Sequence, residues 1–107
     1  AEAVRAALGS LDRVAQDAVD DPMVRRELVR AYQRAGDVLG NPTNANLGDL
    51  PGADSVYRRA AQLAEPLRSS RDGNVRWLMA SLDQARADVA APSGRLEEAA
   101  TLQANAV

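Results

Sequence analysis

Arg26, Arg30 and Arg34 recur at intervals of four in this 107-residue chain, and arginine supplies all thirteen of its positive charges. On a helix, an i, i+4, i+8 row lies along one face, where forked guanidinium groups suit carboxylate recognition. The row also reads as a solvated face, paired with Asp12, Asp17 and Asp20 or with Asp83 and Asp88, each pair contributing about 0–1 kcal/mol. Exclusive use of arginine has a plainer reading too, a GC-rich coding bias. The acidic pairs Asp20-Asp21 and Glu97-Glu98 sit where helices are expected to begin, which favours negative charge and does not resemble an acid–base dyad. The chain has no histidine, cysteine or lysine. The usual general base, the thiolate nucleophile and the commonest transition-metal ligands are therefore missing. Hydrolase triads and zinc sites are argued against, no cofactor is expected, and any enzyme would be left with carboxylate or tyrosine chemistry. What remains is recognition.

Composition says which elements must present those arginines. Hydrophobic residues make up 46% of the chain but aromatic ones 3%, and alanine supplies about a fifth, the signature of closely packed helices. Ile and Phe are absent, and no alternating β-branched run argues for a strand. A length of 107 residues fits one domain over positions 1–107. The formal charge of −2, with a pI near 5.0, argues against a nucleic-acid partner held by phosphate contacts. No apolar run approaches the roughly 20 residues of a membrane span, and no signal peptide is apparent. Ala1 in place of Met reads as a segment of a longer protein. Without cysteine, reducing and oxidising compartments both remain open.

Val4, Leu8, Leu11, Ala15 and Ala18 form one apolar stripe on a first helix, residues 2–19. Asp21 and Pro22 then suit the N-cap and first position of a second helix. Its stripe is Val24, Leu28, Ala31, Tyr32, Ala35 and Leu39, and it stops at Gly40 because Asn41-Pro42 disfavours αR. The Asn-rich stretch 41–48 reads as a compact ordered turn, serving either as a simple connection or as a binding loop. Asp49 or Leu50, with Pro51, opens a third helix striped by Ala53, Val56, Tyr57, Ala60, Ala61 and Ala64. Pro66 ends or kinks it. Asp72 caps a fourth helix with Val75, Leu78, Met79, Leu82, Ala85 and Val89 inward. Ala91-Pro92-Ser93-Gly94 breaks that helix, and Leu96, Ala99, Ala100 and Gln103 line a fifth. Tyr32 and Tyr57 belong to core stripes. Trp77 falls off its stripe, exposed either as an interface anchor or as a packing surface for a neighbouring repeat.

The pattern repeats. Gly48, Ala53, Tyr57 and Ala60 match Gly94, Ala99, Gln103 and Ala106 at an offset of 46 (94 − 48). Leu28, Ala31, Tyr32 and Ala35 match Leu78, Ser81, Leu82 and Ala85 at an offset of 50 (78 − 28). Two helix hairpins, residues 22–66 and 73–106, follow a leading helix. Leu28, Ala31, Tyr32 and Gly36-Asp37, with Gly48-Asp49, Ala53, Tyr57 and Ala60, resemble the tetratricopeptide repeat (TPR). The chain departs from that family at Val29, where a glycine is usual, at Arg25, where a large apolar residue is usual, and in the long gap between its two Gly-Asp pairs. A narrower resemblance rests on Leu11-Asp12-Arg13-Val14-Ala15, Asp20-Asp21-Pro22, Glu27-Leu28, Ala31-Tyr32, Gly36-Asp37-Val38, Gly40-Asn41-Pro42 and Ala45-Asn46-Leu47-Gly48-Asp49. It is to the repeat region C-terminal to the catalytic domain of bacterial eukaryotic-like serine/threonine protein kinases. None of the kinase's own motifs is present.

The resemblance implies an all-α, right-handed array of antiparallel hairpins, about five helices in total, whose first helices line a concave face. It places Met23, Arg26, Arg30, Gln33, Arg34, Arg76, Asp83 and Gln84 on that face, for an acidic peptide or carboxylate. It further implies a non-catalytic sensor or docking segment, in the extracytoplasmic part of a membrane kinase or else in the cytoplasm. The alternative is a structural helical segment used for oligomerisation or as a spacer.

Overall fold

Helices begin in this chain where a polar residue accepts the free amides of a first turn. Asp21 accepts from the Met23 amide at 2.9 Å, Asp49 from the Gly52 amide at 2.9 Å and Asp72 from the Asn74 amide at 2.8 Å. These caps, two of them followed directly by Pro22 or by Leu50-Pro51, fix three of the starts. The computed structural model describes residues 2–18, 20–92 and 94–106, apart from the side chains at 18 and 96. It contains α1 (Glu2–Ala18), α2 (Pro22–Gly40), α3 (Leu50–Ala64), α4 (Gly73–Ala90) and α5 (Leu96–Ala106). Pro66 sits in a 3₁₀ turn, Glu65–Leu67, that closes α3. The described residues contain no strand, and the protein is all-α. None of the helices is long and apolar enough to cross a membrane. The expected end of the first helix at Val19, the placement of Ser93, and the inward roles of Ala18 and Leu96 lie outside the described residues.

The stripes read from the sequence are the core of α2, α3 and α4. Tyr32, Leu39, Val56, Tyr57, Ala60, Leu78, Met79, Leu82 and Val89 form one cluster, against which Val4, Leu8 and Leu11 of α1 pack from the side. Val29, absent from the expected stripe, is completely buried, so it fills space where a glycine would leave room. In α2, Val24, Ala31 and Ala35 are half-buried, which shifts the inward face toward Val29 and Gly36. The fifth-helix reading needs correcting. Ala100 and Gln103 are exposed, and Leu102 with Ala99 makes the buried contact against Ala87 and Ala90. With alanines on several faces, the large side chain decides which way the helix turns.

Antiparallel pairing of α2 with α3 follows from contacts at both ends. The Asp49 amide donates to Leu39 O at 2.8 Å, and at the far end Arg25 Nη1 donates to Leu63 O at 3.0 Å. Arg25 thus satisfies a carbonyl near the C-terminus of α3. Midway, a Cβ on Gly36 would stand 2.4 Å from Tyr57 Cε1, so the helices cross where only hydrogen fits. The second hairpin is α4 with α5, and α4 also packs on α3 and on α2, while α1 packs on α2.

Gly48 and Gly94 occupy the left-handed region, φ 78° and 84°, each two residues before its helix begins, as the 46-residue offset requires. A third correspondence emerges in the fold. Val4, Ala7, Leu8, Leu11 and Ala15 of α1 match the buried Ala53, Val56, Tyr57, Ala60 and Ala64 of α3 at a constant offset of 49 (53 − 4, 64 − 15). Helix α1 therefore stands to α2 as α3 stands to α4.

Candidate functional site

The eight residues expected on one face do not line a single surface. Met23, Arg30 and Arg34 line a shallow groove between α1 and α2, together with Leu11 and Val14. Arg26 points elsewhere, 3.9 Å from Asp72. Gln33 of α2 and Gln84 of α4 line one depression, beside Asp37, Ser81, Asp88 and Trp77. Arg76 lies on the other side of Trp77, near Arg68, Asp83 and Asn105. The arginine row is therefore no continuous anion strip.

Asp83 is engaged within the protein. Its carboxylate is 2% exposed and held by both terminal nitrogens of Arg68, at 2.8 and 3.0 Å. This forked pairing fastens the 3₁₀ turn after α3 to the middle of α4, and it raises the Arg68 guanidinium pKa further. Two other carboxylates proposed as partners of the arginine row, Asp12 and Asp88, are also engaged. Asp12 accepts hydrogen bonds from the Tyr32 hydroxyl and from Arg59 Nη1, the latter at 3.3 Å. Burial, and then the hydrogen bond to Asp12, push the Tyr32 phenol well above its ordinary value.

Trp77 anchors the exposed face, with 67% of its surface accessible. It lines both depressions on this side of α4, so the two are continuous around the indole. Toward Arg76 and Arg68 the surface is cationic. Toward Asp37 and Asp88 it is anionic. Burial raises the Asp37 carboxyl above the ordinary range, the hydrogen bond from Tyr57 opposes that rise, and the charge of Asp88 adds to it. Between the ends lie uncharged amides and a hydroxyl. Gln33 Nε2 donates to Ser81 Oγ at 2.8 Å, and Gln84 Nε2 donates to Asp88 Oδ1 at 3.0 Å. Gln33 Oε1 is buried with no hydrogen-bond partner.

Asp37, Ser81 and Asp88, named in the sequence for other reasons, were not expected on the binding face. A signal was there, since Asp37 follows Gln33, and Asp88 follows Gln84, by the four residues that share a helix face.

The Asn-rich loop forms one wall of this face, and it is ordered by its own amides. Buried Asn41 donates from Nδ2 to the Tyr57 hydroxyl at 3.0 Å and accepts from the Thr43 amide and hydroxyl at 2.9 and 2.7 Å. Asn46 Nδ2 donates to Asn41 O at 3.0 Å, and Asn46 Oδ1 accepts from the Gly48 amide at 2.7 Å. Of these loop residues only Asn41 is buried, and the Tyr57 hydroxyl it meets in turn donates to Asp37. The loop thereby couples the hairpin core to the anionic end of the face.

The arrangement offers an aromatic platform, two charged ends of opposite sign and a row of amides. No group of three potential metal ligands occurs among the described residues. No protein-family model matches the chain, and neither a curated protein nor a solved structure does.

Proposed function

We propose that this chain is a non-catalytic, TPR-like helical module that binds a segment of another protein along the α2–α4 face. The observation that carries the reading is Trp77, a large aromatic side chain left 67% exposed between two depressions of opposite charge. Exposed tryptophans of this kind anchor interfaces. The occupant is a peptide segment with an apolar side chain against the indole, an acidic group toward Arg76 and an amide or basic group toward Asp37 and Asp88. The acidic character expected from the arginine row is thus confined to one end. The resemblance to the repeat region of bacterial serine/threonine protein kinases adds a proposed role, docking or sensing for such a kinase. A kinase domain encoded upstream of this segment is the test of that addition.

Trp77 is the single tryptophan, so its emission reports directly on the face. Peptides selected from a displayed random library should shift that emission on binding. They should bind a Trp77→Ala variant about tenfold more weakly, and an Arg76→Glu variant should exchange acidic for basic preference at one end. Selected peptides that bind the Trp77→Ala variant as well as the parent protein overturn the reading, as does a library that yields no binder.

A further inference from the structure

A second surface is unfinished by the molecule's own internal standard. The groove between α1 and α2 is lined by Val4, Ala7, Leu11, Ala31, Ala35 and Val38, and it runs on past Val14 and Met23. Val14, Met23 and Val38 are 46%, 71% and 47% exposed. On α3, the counterparts of Val4, Ala7 and Leu11 at the 49-residue offset are Ala53, Val56 and Ala60, exposed by 0%, 3% and 0%. On α4, the counterparts of Ala31 and Ala35 at the 50-residue offset are Ser81 and Ala85. The seat formed by α3 and α4 is filled by α2, which packs on both and reaches Ser81 through Gln33. The equivalent seat formed by α1 and α2 is vacant of any described residue.

We infer that this α1–α2 groove receives one amphipathic helix from a partner protein, with an apolar face like that of α2 and carboxylates on its flank. The apolar requirement follows from the lining. The acidic flank follows from charge complementarity, because Arg30 and Arg34 border the groove and Glu27 is the one acidic residue among those lining it. Arg30 Nε is buried with no hydrogen-bond partner, and Arg34 is exposed and lines both halves of the groove. Helix-in-groove recognition of this type reads anchors at i, i+3, i+4 and i+7. This surface is separate from the Trp77 face, so the two readings fail independently.

The probe is a fluorescein-labelled, hydrocarbon-stapled 19-residue helix. It keeps the apolar positions of α2 and carries Glu in place of its three row arginines; a second probe retains the arginines. Saturable anisotropy with the Glu probe is expected. Affinity should fall about tenfold with Ala7→Glu or Val38→Glu, both at exposed positions that leave the fold intact by circular dichroism. Affinity should fall similarly with Arg34→Glu, and for the arginine probe. Trp77→Ala should leave it unchanged. Binding that ignores Ala7→Glu and Val38→Glu, equal binding of the two probes, or no binding overturns the inference. So does a concentration-dependent dimer of the chain alone that Val38→Glu dissociates, which assigns the groove to a second copy.

Discussion

A methyl group at position 36 would collide with the ring of Tyr57, the closest approach being 2.4 Å. Tyr57 is fully buried and ties Asp37 to Asn41, so its ring has little room to retreat. Gly36→Ala should therefore destabilise the chain by about 1–3 kcal/mol in urea unfolding, as overpacking does. The loss should shrink when Tyr57→Leu is added. If Gly36→Ala is neutral, the α2–α3 crossing is looser than described. Two carboxylates nearby titrate in opposite senses. Asp37, raised chiefly by burial, contributes less to stability once the pH climbs through its folded pKa, because the folded state then holds a disfavoured charge. Burial also acts to raise Asp54, but hydrogen bonds from Arg95 and Arg58 outweigh it and hold the carboxyl below its ordinary value. Its contribution is present above the unfolded carboxyl pKa and is lost as the pH falls through the folded one. Urea titrations should thus show Asp37→Asn matching or exceeding the parent at pH 7. Asp54→Asn should fall below the parent there and converge with it in acid. The reverse order would refute the assignment of both sites.

Between elements, the Arg68–Asp83 fork is the tie that fixes α4 against the turn closing α3. Removing the guanidinium leaves a buried carboxylate without its main partner. Arg68→Ala should cost about 2–3 kcal/mol, at the lower end of what buried pairs lose because the arginine side chain is 31% exposed and partly screened. Asp83→Asn, which keeps an acceptor toward Arg68, should cost less. A loss under about 0.5 kcal/mol for Arg68→Ala, the range of ordinary surface substitutions, counts against a structural role for the pair. This tie also shows where sequence reading stops. Apolar spacing located the second, third and fourth helices and their caps, because a 3.6-residue period and Asp-Pro or Asp-Gly starts are local signals. Asp83 lies on the same face as the buried Met79, Ala87 and Ala90, but an aspartate in a helix reads as solvent-facing, and nothing local reveals that Arg68, fifteen positions away, folds back onto it. The fifth helix misled for another reason. Copying the Tyr57 position onto Gln103 followed the repeat, whereas Leu102, the larger apolar side chain, set the buried face. The arginine row was legible as a row, but which helix faces each arginine depends on packing between elements.

The whole molecule is a slab of 35 × 35 × 18 Å, somewhat under two helix diameters thick. Its stability is unevenly distributed. Residues with zero exposure come from α2, α3 and α4, whereas α1 contributes only half-buried side chains among those described. Helix α1 is held by Val4, Leu8 and Leu11 and by Asp12, which joins Tyr32 of α2 to Arg59 of α3. Local opening follows such differences in buried contact, so amides in the middle of α1 should lose hydrogen-exchange protection before those of α3 and α4. Tyr32→Phe removes the hydroxyl bond to Asp12, whose net contribution of about 0.5–1.5 kcal/mol corresponds to roughly 2- to 12-fold faster exchange. That acceleration should be confined to α1. If all five helices instead exchange at one rate, and Tyr32→Phe speeds them alike, the chain opens as a single unit and α1 is no weaker than the rest. A marginally held α1 beside a vacant apolar groove gives a bound helix a measurable effect on folding. By mass action, anything that binds the closed α1–α2 pair stabilises it, so the Glu-bearing probe should restore α1 protection in Tyr32→Phe while leaving exchange in α4 unchanged.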